Sequence, residues 1–166
     1  MNKIEWIIRN ATRNDVPILA DLIKQLAKYE KMLEECVATE DHYTKYGFSD
    51  EAIFNALLAE NIGNEEPPYF GMALYYYTYS TFTGKPTLYL EDLFVIEEYR
   101  SQGIGTSLLK RLANIALEKG CARMEWACLD WNEPSIKYYL SLGAKPMDEW
   151  TVYRLTTKEL EKFVDK

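Results

Sequence analysis

The chain has 166 residues, 48% of them hydrophobic, which is enough for one domain with a buried core. Its formal net charge of −7 disfavours non-specific binding to nucleic acid and favours cationic partners. No apolar run reaches the length of a membrane span, and the start Met1-Asn-Lys-Ile-Glu-Trp6 has no signal-peptide core, so a soluble, cytoplasmic protein without membrane or nucleic-acid partners is expected.

Ile4–Arg9 alternates as a first strand. Thr12–Asp15 then offers a cap, and Ile18, Leu19, Leu22, Ile23 and Leu26 recur at helical spacing, so a helix is expected over 14–29. A second helix is expected from Thr39 to Tyr46, ended by Gly47. A helical turn at 50–55 and a strand at 56–61 follow, then a polar loop from Asn61 to Pro68. Phe70–Tyr79 and Thr87–Ile96 read as antiparallel strands joined by a hairpin turn at Thr81–Pro86.

Helix 103–119 has an apolar stripe of Ile104, Leu108, Leu112 and Ile115 and ends at Gly120. Arg123–Leu129 is expected as a strand. Asn132 caps the next helix, with Pro134 in its first turn and Gly143 as its stop. A last strand is expected at Tyr153–Leu155 and a terminal helix at 157–164. The order β-α-α-β-β-β-α-β-α-β gives a single α/β domain over 1–166 with a mixed sheet.

Cys36, Cys121 and Cys128 are odd in number and lack metal-ligand spacing, so they read as reduced thiols, with Cys121 and Cys128 in the core. The one histidine, His42, reads as a surface residue. The acidic run Glu34-Glu35 reads as a solvated face.

The stretch most loaded with chemistry is Leu88-Tyr-Leu-Glu-Asp92 followed by Arg100-Ser-Gln-Gly103-Ile-Gly105. A strand feeds a glycine-bearing loop that opens a helix, an arrangement suited to a phosphate. The third glycine of a dinucleotide fingerprint is missing, as is the Gly-Lys-Ser/Thr of a P-loop. Arg100-x-x-Gly103-x-Gly105 after a strand resembles the acetyl-CoA signature of the GNAT superfamily of N-acetyltransferases. Leu26-Ala-Lys-Tyr-Glu30, Leu88–Asp92, Tyr99–Gly105 and Trp131-Asn-Glu-Pro-Ser-Ile-Lys-Tyr-Tyr139 together resemble its diamine (spermidine/spermine) and thialysine acetyltransferase branch.

That resemblance implies the GNAT fold, a mixed and mostly antiparallel sheet flanked by helices, in a homodimer that uses acetyl-CoA as co-substrate and no metal. It implies that the backbone of Leu93, Phe94 and Val95 holds the pantetheine arm, and that Ser101, Gln102, Gly103, Ile104, Gly105 and Thr106 hold the pyrophosphate. Arg100 would help with the phosphates or fix the loop. Asn132 and Ser135 would contact the coenzyme.

Tyr139 matches the family's general acid, and Tyr138 is expected to face the core. Glu91 is the best candidate for the base, acting through water. Tyr29, Glu30, Glu91 and Asp92 would bind the amine, with Asp92 aiding the amine or capping the turn.

The implied reaction is attack of a primary amine on a thioester in a ternary complex. An amine of lysine type has a pKa of about 10.4, so the site must bind a cation and remove a proton. The polyamine enzymes carry an acid and a tryptophan at the positions of Ser80 and Phe82, and a glutamate near Thr151. Losing two carboxylates weakens the grip on a long polycation, and Tyr79-Ser-Thr81 with Leu129-Asp-Trp-Asn132 resembles the thialysine type more. Acetylation of a protein lysine or N-terminus, and a non-catalytic acyl-CoA-binding regulator, are the alternatives.

Overall fold

The computed structural model describes residues 4–63 and 67–165. The chain start Met1–Lys3 and residues 64–66 of the polar loop lie outside them. The chain forms two compact units, Met1–Ala127 and Cys128–Lys166.

The first unit contains β1 (Trp6–Asn10), α1 (Val16–Tyr29), α2 (Glu40–Phe48), β2 (Asn55–Asn61), β3 (Tyr69–Ser80), β4 (Lys85–Val95), α3 (Ile104–Glu118) and β5 (Arg123–Trp126). The sheet order follows the chain order. Strands β1 to β4 are antiparallel, and β5 joins β4 in parallel. This is the mixed α/β sheet that the sequence leads one to expect.

Four successive residues of β2, Ala56 to Ala59, are buried, because helices cover both faces of the sheet. On one face Leu19, Leu22 and Leu26 of α1 pack on Leu58, Met72, Leu74 and Phe94. Full burial of each such leucine contributes roughly 1.5–3 kcal/mol. On the other face lies α3, whose Gly105 is near Val95 and whose Lys119 covers the Tyr77 ring.

The entry to α1 is fixed by charge. The Arg9 guanidinium makes two 2.8 Å hydrogen bonds to the buried Asp15 carboxylate, and Arg9 also bonds Glu60. Asp15 further accepts from the Thr12 backbone and hydroxyl and from the Tyr69 phenol. These donors hold the Asp15 carboxyl well below the usual carboxylate range, Arg9 contributing most.

Several sequence expectations are corrected. Gly47 does not end α2 but lies inside it, because the Phe54 ring occupies the space that a side chain would need. His42 is exposed, as expected, and its Nδ1 accepts from the Thr39 backbone at the helix start. Cys36, Cys121 and Cys128 are free, but Cys121 and Cys128 are half-buried rather than core.

The second unit contains α4 (Glu133–Ser141) and α5 (Thr157–Val164). The strand expected at Tyr153–Leu155 is not formed. Val152 is 89% and Tyr153 91% exposed, and no neighbouring strand there supplies ladder partners among the described residues.

Candidate active site

Strand β5 is shorter than the sequence suggests. The parallel ladder runs from Thr87–Arg123 to Leu90–Trp126 and stops, while β4 continues to Val95. The ladder ends where β4 carries a bulge. In the pairing with β3, Leu90 faces Tyr75 and Asp92 faces Leu74, so Glu91 is the extra residue. A bulge bends its strand and increases the local twist, which turns the end of β4 away from β5.

That divergence leaves the far side of residues 91–95 without a strand among the described residues. The Ile96 N–H donates to Phe70, toward β3. By the alternation of an antiparallel ladder, the amide groups of Leu93 and Val95 point away from β3, to the open edge, and those of Phe94 point toward β3. Of the three residues expected to line this edge, Leu93 and Val95 are so directed. The Phe94 backbone faces β3 instead, because strand peptides alternate sides, and its side chain belongs to the core.

Beyond the open edge, Glu97–Tyr99 forms one 3-10 turn, held by the Tyr99 ring 4.6 Å from that of Phe70. Ser101 and Gly103 both have left-handed backbone, with φ of 61° and 95°. Gly103 is the cap of α3, and its positive φ is the reason for a glycine there. The N–H groups of the first helical turn, starting at Ile104 and Gly105, carry the positive end of the helix dipole. Gln102 is an exposed residue of the loop, and Thr106 lies in the first turn.

Arg100 fixes the loop. Its Nε donates to the Val95 carbonyl at 3.0 Å, and its guanidinium lies over the Tyr29 ring at 4.3 Å. The ring of Tyr29, for which the family resemblance implies amine binding, lies under the Arg100 guanidinium.

The same bulge gathers carboxylates. In a regular strand Glu91 and Asp92 would point to opposite faces. Here Glu91 accepts a 3.2 Å hydrogen bond from the Tyr76 phenol, on the face where Leu74 and α1 meet. Asp92, the partner of Leu74, is on that face too and feels Glu30 at the end of α1. Burial, then Glu91, then Glu30 push the Asp92 carboxyl up to about 6. Burial also raises Glu30. Three of the four residues expected to bind an amine thus share one acidic face.

Sequence reasoning missed Tyr76 and Tyr89, whose rings lie 5.2 Å apart beside Glu91. Their cross-strand pairing depends on the β3–β4 register, which a run of tyrosines does not reveal.

In the second unit Asn132 caps α4, its Oδ1 accepting from the Ser135 N–H at 3.4 Å. Tyr139 is half-buried on this helix. Burial, then Cys128 and Tyr138, push its phenol up to about 12, so it is protonated at neutral pH. Tyr138 is half-buried as well, its ring 6.0 Å from that of Tyr139, so burial does not set the two tyrosines apart.

The sequence profile of the Acetyltransferase (GNAT) family matches residues 22–144, a span that includes the open strand edge and the glycine loop. The chain belongs to that family. It is similar to a pig (Sus scrofa) thialysine N-epsilon-acetyltransferase, 35% identical over 96% of this chain and 98% of that protein. It is also similar to human spermidine/spermine N(1)-acetyltransferase-like protein 1, 39% identical over 92% of this chain but 23% of that longer protein. Among solved structures, an integron cassette protein from the mobile metagenome of V. cholerae superposes with a TM-score of 0.78 at 25% identity over all of both chains. This GNAT protein is accordingly an enzyme, an N-acetyltransferase. Among the described residues no helix is long and apolar enough to cross a membrane, and no group of three or more His, Cys, Asp or Glu side chains could hold a metal ion.

Proposed function

We propose that this enzyme transfers an acetyl group from acetyl-CoA to a primary amine of a small cationic molecule, a diamine or polyamine or a thialysine-like amino acid. The observation that carries this reading is the bulge at Glu91. It opens the strand edge on which an extended amide-bearing chain can pair, and it turns two successive carboxylates to one face.

The residues present fit acetyl-CoA. Leu93 and Val95 offer outward amides for its pantetheine arm, and the loop from Ser101 to Thr106 offers N–H groups at a helix start for its phosphates. Asn132 and Ser135 are assigned to coenzyme contact by the family resemblance. A thioester supplies the activated acyl carbon.

Glu30 and Asp92 attract the ammonium group of the amine, with Tyr29 beside them. Glu91 takes the proton through water, which frees the nitrogen lone pair. The nitrogen then forms the N–C bond at the thioester carbonyl in a ternary complex. The C–S bond breaks, the leaving sulfur receives its proton from the Tyr139 phenol, and the second proton of the attacking nitrogen passes to the resulting phenolate as the amide forms. The enzyme acts as a homodimer in the cytoplasm.

A panel of spermidine, shorter diamines, thialysine and lysine-like amino acids, assayed with acetyl-CoA for release of free thiol, tests the proposal. Turnover is expected with at least one small cationic amine. Thiol release only with a peptide N-terminus or a protein lysine, or with no acceptor at all, would reject it.

A further inference from the structure

The Glu91 carboxylate is exposed, at a position where the strand is irregular. A glutamate in that setting has several rotamers open to it, and fixing one costs conformational entropy. Proton transfer needs the carboxylate oxygen within hydrogen-bond reach of the amine or of one bridging water. Something must therefore hold Glu91.

The Tyr76 phenol donates to Glu91 Oε2 at 3.2 Å. Tyr76 is half-buried, and its ring rests 5.2 Å from that of its cross-strand neighbour Tyr89, tilted by 33°. The hydroxyl is thus presented from a braced ring on the regular part of the sheet. Donation to Oε2 leaves Oε1 to accept a proton.

We propose that Tyr76 is a positioning residue for the reaction, holding the Glu91 carboxylate in the orientation that accepts the proton of the incoming amine. This rests on the assignment of Glu91 as base in the proposed function. The phenol stays a donor across the working pH range, since burial and then Glu91 push it up to about 12. Four other ionisable groups lie around this pair. Tyr89 lies on β4, Glu125 faces Tyr89 from β5, and Asp92 and Glu30 stand toward the end of α1.

Tyr76→Phe keeps the ring and its stacking and removes only the hydroxyl. With an accepted amine, kcat should fall about tenfold, the scale of one hydrogen bond to a charged group, while amine KM, coenzyme affinity and thermal midpoint stay close to wild type. In a Glu91→Gln background the same substitution should cost nothing further. A wild-type kcat for Tyr76→Phe, or an equal loss in both backgrounds, would overturn the positioning role. Glu91→Gln with wild-type kcat would instead reject the base itself, and with it the residue said to hold it.

A second measurement needs no substrate. Three-bond NMR couplings of the Glu91 side chain should report one χ1 rotamer in the wild-type protein and averaged rotamers in Tyr76→Phe. Averaged couplings already in wild type would sink the inference whichever amine the enzyme accepts.

Discussion

The Arg100 guanidinium lies 4.3 Å from the centroid of the Tyr29 ring while its Nε donates to the Val95 carbonyl. One side chain therefore ties the glycine loop to the end of α1 and to the open end of β4. The contact uses the planar face and the directional N–H of a guanidinium, which an ammonium group does not reproduce.

Arg100→Lys should consequently resemble Arg100→Ala rather than wild type. Loss of one hydrogen bond and one cation–π contact, about 1–2 kcal/mol together, predicts coenzyme binding weakened by roughly 5- to 30-fold in both. Calorimetric titration with coenzyme A checks this. If lysine restores full affinity, Arg100 acts as a charge on the phosphates and not as a strut.

Tyr139→Phe should lower turnover about 10²-fold or more and leave coenzyme affinity nearly unchanged. Its phenol, held up to about 12 chiefly by burial, is a proton donor at every pH where the enzyme would be assayed. A variant that turns over at the wild-type rate would remove Tyr139 from the reaction.

Asp92 predicts a pH dependence in two quantities. Its folded pKa of about 6 lies above the ordinary 3.8, so the native state holds this proton more tightly than the unfolded chain. Its contribution to stability is therefore present at low pH and is lost as pH rises from about 4 to about 6. The charge that attracts an ammonium group exists only above that window, so amine KM should climb as pH falls through about 6. Asp92→Asn should remove both trends and leave a uniformly high KM. Denaturant melts and initial rates from pH 4.5 to 8 would measure them, and identical profiles for the two proteins would refute the assignment.

Asp15→Asn should destabilise the fold without touching chemistry. Asp15 is 5% exposed and receives two hydrogen bonds from the partly exposed Arg9, so a loss of about 2–3 kcal/mol is expected from leaving that cation poorly matched. The sign runs opposite to that of Asp92. A depressed carboxyl stabilises the fold above its unfolded pKa, and the benefit fades as pH falls below the usual carboxylate range. Urea midpoints at pH 7 and pH 3 should differ less in the variant than in wild type, and an equal difference would contradict this account.

Periodicity and punctuation carry the helices: the Leu19–Leu22–Leu26 stripe, the Asn132 cap and the turns at Gly84, Gly103 and Gly120 were legible because each depends on residues a few positions apart. The candidate loop was legible for the same reason, since Arg100, Gly103 and Gly105 form one local signature. Gly47 misled, because its smallness answers the Phe54 ring and not a helix end. The strand expected at Tyr153–Leu155 misled too, because a short segment forms a strand only where a neighbour completes its ladder.

By itself the sequence determined which segments are apolar on which period, where they stop, and which acids and tyrosines are available for chemistry. Only the tertiary structure decided that β4 parts from β5 after Leu90, that Glu91 and Asp92 face the same way, and that Tyr76 reaches Glu91. All three follow from register, and register is set by contacts between strands distant in the chain.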